Sequence, residues 1–309
     1  MSLESKANLL ADRAHQFKKV RAFFDERCVM EVDTPLLVQH PNLDAQIELF
    51  QAFDGKTKRY LHTSPEFGMK RLLASLKKDI YQMSHVFRAF EVGKKHNPEF
   101  TMIEYYRIGK TLDFLIDETL NLIFLFIEPA SIQSISYYDL FYKYTKIDLR
   151  KEKIEELHQY LENNELDYPQ ALSFYELVDL IFCHFIEPFL NGITVIKGFP
   201  HWQKALAKLE NLTGALQAKR FEIYFNGIEL ANGYDELLDP KEQLLRFQEV
   251  VDERSKNHQT PYTIDSNLIV CLDSIPECVG VAIGFDRLMM IRHQAVNISQ
   301  VIPFSFSEI

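Results

Sequence analysis

The stretch RFEIYFNGIELANGY, from Arg220 to Tyr234, alternates apolar and polar residues on both sides of Asn226-Gly227. An Asn-Gly pair between two alternating runs is the strongest short-range hairpin signal, because both residues accept the positive φ that a type I′ turn requires. With these two at the centre, Phe225 faces Ile228 and Tyr224 faces Glu229. The strand period of two then puts Glu222, Tyr224, Glu229 and Ala231 on one face. Two carboxylates share a diagonal there. On a buried face they repel unless a cation lies between them, and carboxylates with phosphate oxygens are the ligands Mg²⁺ prefers. The plain alternative is an acidic strand pair facing solvent.

Around this hairpin the pattern is mixed. Asn8–Glu26 reads as one amphipathic helix, with Leu9, Leu10, Phe17, Val20, Phe23 and Phe24 at mostly helical spacing. Tyr60–Thr63, Tyr81–Phe87 and Phe100–Arg107 read as strands, with a helix from Pro65 through Leu76 between the first two. The middle, from Asp113 to Phe189, is expected to be mostly helical. A strand pattern returns at Ile193–Ile196, Lys241–Lys256 reads as a helix, and GVAIGFDRLMMIRH reads as a buried strand running into a helix at Asp286. Strands with helices inserted between them indicate one α+β domain over 1–309, with a mainly antiparallel sheet flanked by helices and a helical insertion at roughly 111–191.

Composition narrows the function. At 309 residues and 47% hydrophobic, the chain can bury a large core, and no segment approaches the ~20 uninterrupted apolar residues of a membrane span. The four cysteines have no metal-ligand spacing, so a reduced, cytoplasmic protein is expected. A formal net charge of -10 argues against a general nucleic-acid binder.

Cationic residues are nevertheless concentrated. VFRAFEVGKKHNPEFTMIEYYR sets Arg88, Lys94, Lys95, His96 and Arg107 among aromatic residues between two strand signals. A guanidinium on a strand can grip a phosphate with two donors, Lys or His on the connecting loop can hold outer phosphates, and Phe100 can stack on a base. Arg287, at a helix start just after Gly284, supplies a third element. Together these point to a nucleoside triphosphate.

The same segments resemble the three motifs of class II aminoacyl-tRNA synthetases: CVMEVDTPLL containing Pro35, Phe87–Tyr106, and GFDRLMM. TSPEFGMKRLL, HNPEFTMIEYY and ELANGYDEL are similar to the lysyl-tRNA synthetase versions. The chain begins almost at the motif 1 helix, so no anticodon-binding OB domain is expected. In this it resembles the stand-alone lysyl-tRNA synthetase paralogs, which activate β-lysine as an adenylate and transfer it to a lysine side chain of elongation factor P.

The resemblance implies ATP as substrate with Mg²⁺. Arg88 and Arg287 are the catalytic cations on the α- and γ-phosphates. Ala89, Phe90, His96, Asn97, Phe100, Glu229, Leu230 and Gly284 complete the ATP site, with Glu222 and Glu229 as metal ligands. Ser64, Pro65, Glu66, Glu104, Tyr106, Glu236 and Ala282 line the pocket for lysine or β-lysine. It further implies elongation factor P as partner, no tRNA, no membrane, and a homodimer through the motif 1 helix with Pro35 at the interface. Three departures stand out. Phe90 occupies the place of the acid that reads adenine, the nearest acid being Glu91. Lys95 replaces an arginine, and Ala282 stands where tRNA-charging enzymes have glycine. A truncated tRNA-charging enzyme, a small-molecule ligase of the asparagine synthetase type and a catalytically inactive regulatory paralog are the competing readings.

Overall fold

The computed structural model describes residues 3–212 and 214–308. In chain order the elements are α1 (Leu3–Asp25), β1 (Met30–Glu31), β2 (Leu37–Val38), β3 (Gln51–Phe53), β4 (Lys58–Leu61), α2 (Glu66–Leu76), β5 (Ile80–Phe87), β6 (Glu99–Ile108) and α3 (Leu112–Ile123). Next come β7 (Ile132–Ser136), α4 (Tyr137–Thr145), α5 (Ile154–Asn163), α6 (Phe174–Ile181), β8 (Ile193–Pro200), β9 (Leu209–Leu212), β10 (Ala215–Phe225) and β11 (Ile228–Asp235). The chain closes with α7 (Pro240–Lys256), α8 (Ser266–Cys271), β12 (Cys278–Gly284) and α9 (Phe285–Arg292). Two compact units result, Met1–Glu128 with Glu236–Ile309, and Pro129–Asp235. No helix among the described residues is long and apolar enough to cross a membrane.

In the first unit β1, β5, β6 and β12 lie side by side, β1 parallel to β5 and the other pairs antiparallel. Strand alternation divides β6 into two faces. Thr101, Ile103, Tyr105 and Arg107 form the covered one. There Phe24 of α1 stacks on Tyr81 at 4.1 Å and meets Tyr105 edge-on at 5.1 Å, while Arg107 pairs with Glu118 of α3 at 3.2 Å. α1 also buries Arg13, whose Nη2 donates to Thr101 Oγ1 at 2.9 Å and whose Nη1 meets Asp286 Oδ1 at 2.5 Å. A buried guanidinium persists only with such partners, and breaking a buried pair costs about 3–5 kcal/mol. The network therefore ties α1 to the start of α9. The opposite face of β6 carries Phe100, Met102, Glu104 and Tyr106.

In the second unit β11, β10, β8 and β7 are neighbours, β9 pairs with the first residues of β10, and β7 runs parallel to β8. Helices α4, α5 and α6 bury Phe141, Leu157, Leu161, Leu177 and Ile181 together with Ile196, Phe199 and Tyr224 of the strands. The hairpin turn is as expected, with φ of 47° at Asn226 and 69° at Gly227.

Two expectations need correction. Phe225 pairs with Ile228 and Tyr224 with Glu229, but Ile223 then pairs with Ala231 and Glu222 with Asn232. Leu230 is the extra residue of a β-bulge, which shifts every later side chain by one. Ala231 therefore leaves the acidic face, and Asn232 takes its place beside Glu222. The helical middle also contains β7, a five-residue edge strand, IQSIS, too short for its alternation to stand out among helices.

Candidate active site

The Glu104 and Tyr106 face of β6, itself buried, organises one end of the first unit. Antiparallel pairing sets Glu104 between Gln82 of β5 and Ala282 of β12, and Tyr106 between Ile80 and Gly280. Ser64 and Pro65 lead into α2, and Ser64 Oγ donates to Glu104 Oε2 at 2.6 Å and accepts the Glu66 N–H at 3.0 Å. Tyr106 Oη donates to Glu104 Oε1 at 2.7 Å. Glu236 follows β11 and is anchored by its N–H on the Cys278 carbonyl at 3.1 Å. Five residues expected in the amino-acid pocket, Ser64, Glu66, Glu104, Tyr106 and Glu236, thus converge, with Pro65 buried at the start of α2 and Ala282 beside Glu104.

Two further residues complete this pocket. Lys70, one helical turn beyond Glu66, is 1% exposed and puts Nζ 2.7 Å from Glu66 Oε1 and 2.6 Å from Glu236 Oε2. Burial alone lowers a lysine pKa, yet the charges of Glu236 and Glu66 hold Lys70 above the usual lysine range. At Gly280 a Cβ would come within 2.5 Å of Glu236 Oε1 and 2.6 Å of Tyr106 Cδ1, so only glycine lets both side chains cross β12. Glu104 is pushed up to about 8 by burial and by the negative charge of Glu66, against the pull of its hydrogen bonds from Ser64 and Tyr106. Burial, with Glu104 next, raises the Tyr106 hydroxyl well above the usual tyrosine range. The pocket holds three carboxylates and one ammonium, an arrangement made to receive cations.

At the other end of the same face stand the phosphate-binding candidates. Phe100 lies six residues from Tyr106 along β6, about 20 Å at ~3.3 Å per residue. Arg88 leaves β5, anchors its N–H on the Pro98 carbonyl at 2.9 Å, and stacks its guanidinium 5.2 Å from the Phe100 ring centre. Its Nε is buried and makes no hydrogen bond among the described residues. Ala89 donates its N–H to the Glu48 carbonyl at 2.9 Å. The loop then tightens between Gly93 and His96, and His96 Nε2 accepts from Arg287 Nη2 at 2.9 Å, joining motif 2 to motif 3. Around Gly284 the three atoms nearest an added Cβ all belong to Arg287, at 3.5–3.6 Å, an ordinary van der Waals contact.

Two expected nucleotide contacts stand differently. Phe90 has φ 66° and is 86% exposed, while Glu91 reaches back to Arg88 at 3.8 Å. Asn97 is buried and spends its amide on backbone, donating to the Glu99 carbonyl at 2.7 Å and accepting the Phe306 N–H at 3.0 Å. It fastens the chain's last turn to the motif 2 loop.

In the second unit the hairpin builds an acidic site of its own. Glu222, 6% exposed, accepts from Tyr224 Oη at 2.7 Å and from Arg220 Nη2, while Arg220 Nε donates to Asn232 Oδ1 at 3.1 Å. Burial raises the Glu222 pKa, Arg220 pulls it back, and Glu229 pushes it up again. Two acids against one guanidinium leave net negative charge on a buried face, which suits a hard divalent cation. Leu230 is buried at the bulge between Glu229 and Ala231.

Comparison with known proteins decides the family. The family model described as tRNA synthetases class II (D, K and N) matches residues 1–308. The chain belongs to the class II tRNA synthetase family. Within it, the chain is 40% identical to the elongation factor P–(R)-β-lysine ligase of Photorhabdus laumondii over 98% of this chain and 96% of the relative. It is 39% identical to proteins of the same name from Vibrio cholerae, covering 96% and 95%, and from Proteus mirabilis, covering 97% and 95%. The class II synthetase core accounts for the mainly antiparallel architecture and for the separate placing of phosphate and amino-acid groups along one strand. Lys70 and Gly280 were missed in the sequence although both lie inside quoted motifs. A lysine four residues after Glu66 on a predicted helix was the available signal for the first; nothing local distinguishes Gly280 from Gly284.

Proposed function

We propose that this chain activates (R)-β-lysine with ATP and transfers it to a lysine side chain of elongation factor P. The observation that carries the reading is the buried pocket of Glu66, Glu104 and Glu236 on the same sheet face as Phe100 and Arg88, supported by end-to-end relatives named for this reaction. The substrate's ammonium groups enter the carboxylate pocket, and its carboxylate points along β6 toward the nucleotide. In the first step that carboxylate attacks the α-phosphorus of ATP and expels pyrophosphate. It is already ionised at neutral pH, so no protein base is needed, and the chain contributes positioning and charge. Arg88, flat against Phe100, holds the α-phosphate, and Arg287, oriented by His96, holds the γ-phosphate. Glu222 and Glu229 would hold Mg²⁺, which when bound would supply positive charge to phosphate oxygens. In the second step the neutral acceptor amine attacks the acyl carbon and AMP leaves. The reading includes a cytoplasmic homodimer formed through α1 and the Pro35 segment.

The test is transfer of radiolabelled lysine isomers, with ATP and Mg²⁺, to purified elongation factor P and to lysine tRNA in parallel. Label on the protein with (R)-β-lysine preferred is expected. Label on tRNA alone, or no label together with no ATP–pyrophosphate exchange, would overturn the reading.

A further inference from the structure

Lys70 has no place in the reaction as described, yet it is almost wholly enclosed in the pocket. It sits on α2 one turn from Glu66, 1% exposed, and its Nζ bridges Glu66 Oε1 and Glu236 Oε2. Glu236 is itself 1% exposed and Glu104 3%. Burying an ammonium among hydrophobic residues such as Phe67, Met69 and Leu73 of the same helix is costly unless the charge is needed. Its need is visible in the carboxylates. With Lys70 present, one oxygen each of Glu66 and Glu236 is tied down, and the other Glu236 oxygen lies over Gly280 beside Tyr106. Ionised, three acids and one ammonium carry a net charge of minus two, and two further cationic groups neutralise them.

We propose that Lys70 is a positioning and specificity-determining residue. Its ammonium holds Glu66 and Glu236 in register and sets the pocket charge so that a substrate with two ammonium groups is accepted and a monoamine of equal length is refused. The inference rests on the proposed function only for which amino acid is used. The bridging geometry is independent of it.

The experiment combines calorimetry on the wild-type protein with kinetics on two variants. Wild type is expected to bind 1,5-diaminopentane at least tenfold more tightly than n-pentylamine; equal affinity overturns the charge-counting argument without any mutation. Lys70→Met, close in volume, is expected to raise the KM for the lysine isomer at least tenfold in pyrophosphate exchange while the KM for ATP changes less than twofold. In Lys70→Ala, added n-propylammonium, which restores the missing atoms, is expected to lower the amino-acid KM, whereas in wild type it only competes. A structural role alone does not produce that reversal of sign, and inhibition in both proteins overturns the proposal. The two readings fail separately. Exchange by wild type that is indifferent to Lys70→Met removes Lys70 and keeps the function. Selective diamine binding without exchange for any lysine isomer removes the function and keeps the pocket assignment. Absence of both removes both.

Discussion

A methyl group at position 280 has no room. Gly280 lies on β12 opposite Tyr106, and the added Cβ would come within 2.5 Å of Glu236 Oε1 and 2.6 Å of Tyr106 Cδ1, distances that real Cβ atoms do not tolerate. Neither neighbour can step into solvent, since Tyr106 is 2% exposed and Glu236 1%. Overpacking of this kind costs roughly 1–3 kcal/mol of stability. The cost to binding is larger. If Tyr106 and Glu236 are displaced from the substrate ammonium, removing charged partners from a buried cation costs about 3–5 kcal/mol. At about 1.4 kcal/mol per factor of ten, Gly280→Ala should raise the amino-acid KM by about two to three and a half powers of ten. The KM for ATP should stay within twofold, because Arg88, Phe100 and Arg287 lie at the other end of β6. Pyrophosphate exchange with each substrate titrated in turn measures both. An amino-acid KM within threefold of wild type would falsify the placement of Tyr106 and Glu236 in the pocket.

In Gly284→Ala the atoms nearest the added Cβ belong to Arg287, so the change should leave the amino-acid KM alone and raise that for ATP; the reverse pattern in the same exchange assay would refute nucleotide approach at this backbone. Arg88→Ala and Glu229→Ala should each abolish adenylate formation while circular dichroism stays native, and exchange near the wild-type rate would remove both roles. Glu104, about 8 in the folded pocket against an ordinary 4.5, favours its neutral form, so its contribution to stability is full below pH 4.5 and is lost as pH rises through 8. A bound ammonium reverses this preference, so calorimetry at pH 7 in buffers of different ionisation enthalpy should show proton release on amino-acid binding, and no release would contradict the assignment. Ala282→Gly, beside Glu104, should shift preference from β-lysine toward α-lysine in exchange assays; an unchanged isomer ratio would show that this methyl group does not set the amine position.

Much of the frame was legible because its signals are local. Asn226-Gly227 has one low-strain way to reverse the chain, and both residues take the positive φ that the turn demands. Lys241–Lys256 reads as a helix, and α7 runs Pro240–Lys256, where the structure adds an Asp239 side-chain cap on the N–H groups of Lys241 and Glu242. Phe100–Arg107 reads as a strand, and β6 runs Glu99–Ile108. The extent of α2 followed from its apolar spacing, with Pro65 just ahead of its first turn. β7 escaped because five residues at a sheet edge carry too little alternation to compete with neighbouring helical patterns.

By itself the sequence determined the principal strands, where the hairpin turns, and which chemical groups are available: two motif arginines, an aromatic platform and a surplus of acids. Only the tertiary structure decided how those groups are shared out. The bulge at Leu230 exchanged Ala231 for Asn232 beside Glu222, Asn97 was committed to the backbone of Phe306, and Glu236, far along the chain, was brought to Lys70 beside Glu66 of its own helix. Turn type and strand period depend on a residue and its immediate neighbours. Bulges, buried ion pairs and the need for glycine at 280 depend on what a distant segment places against them.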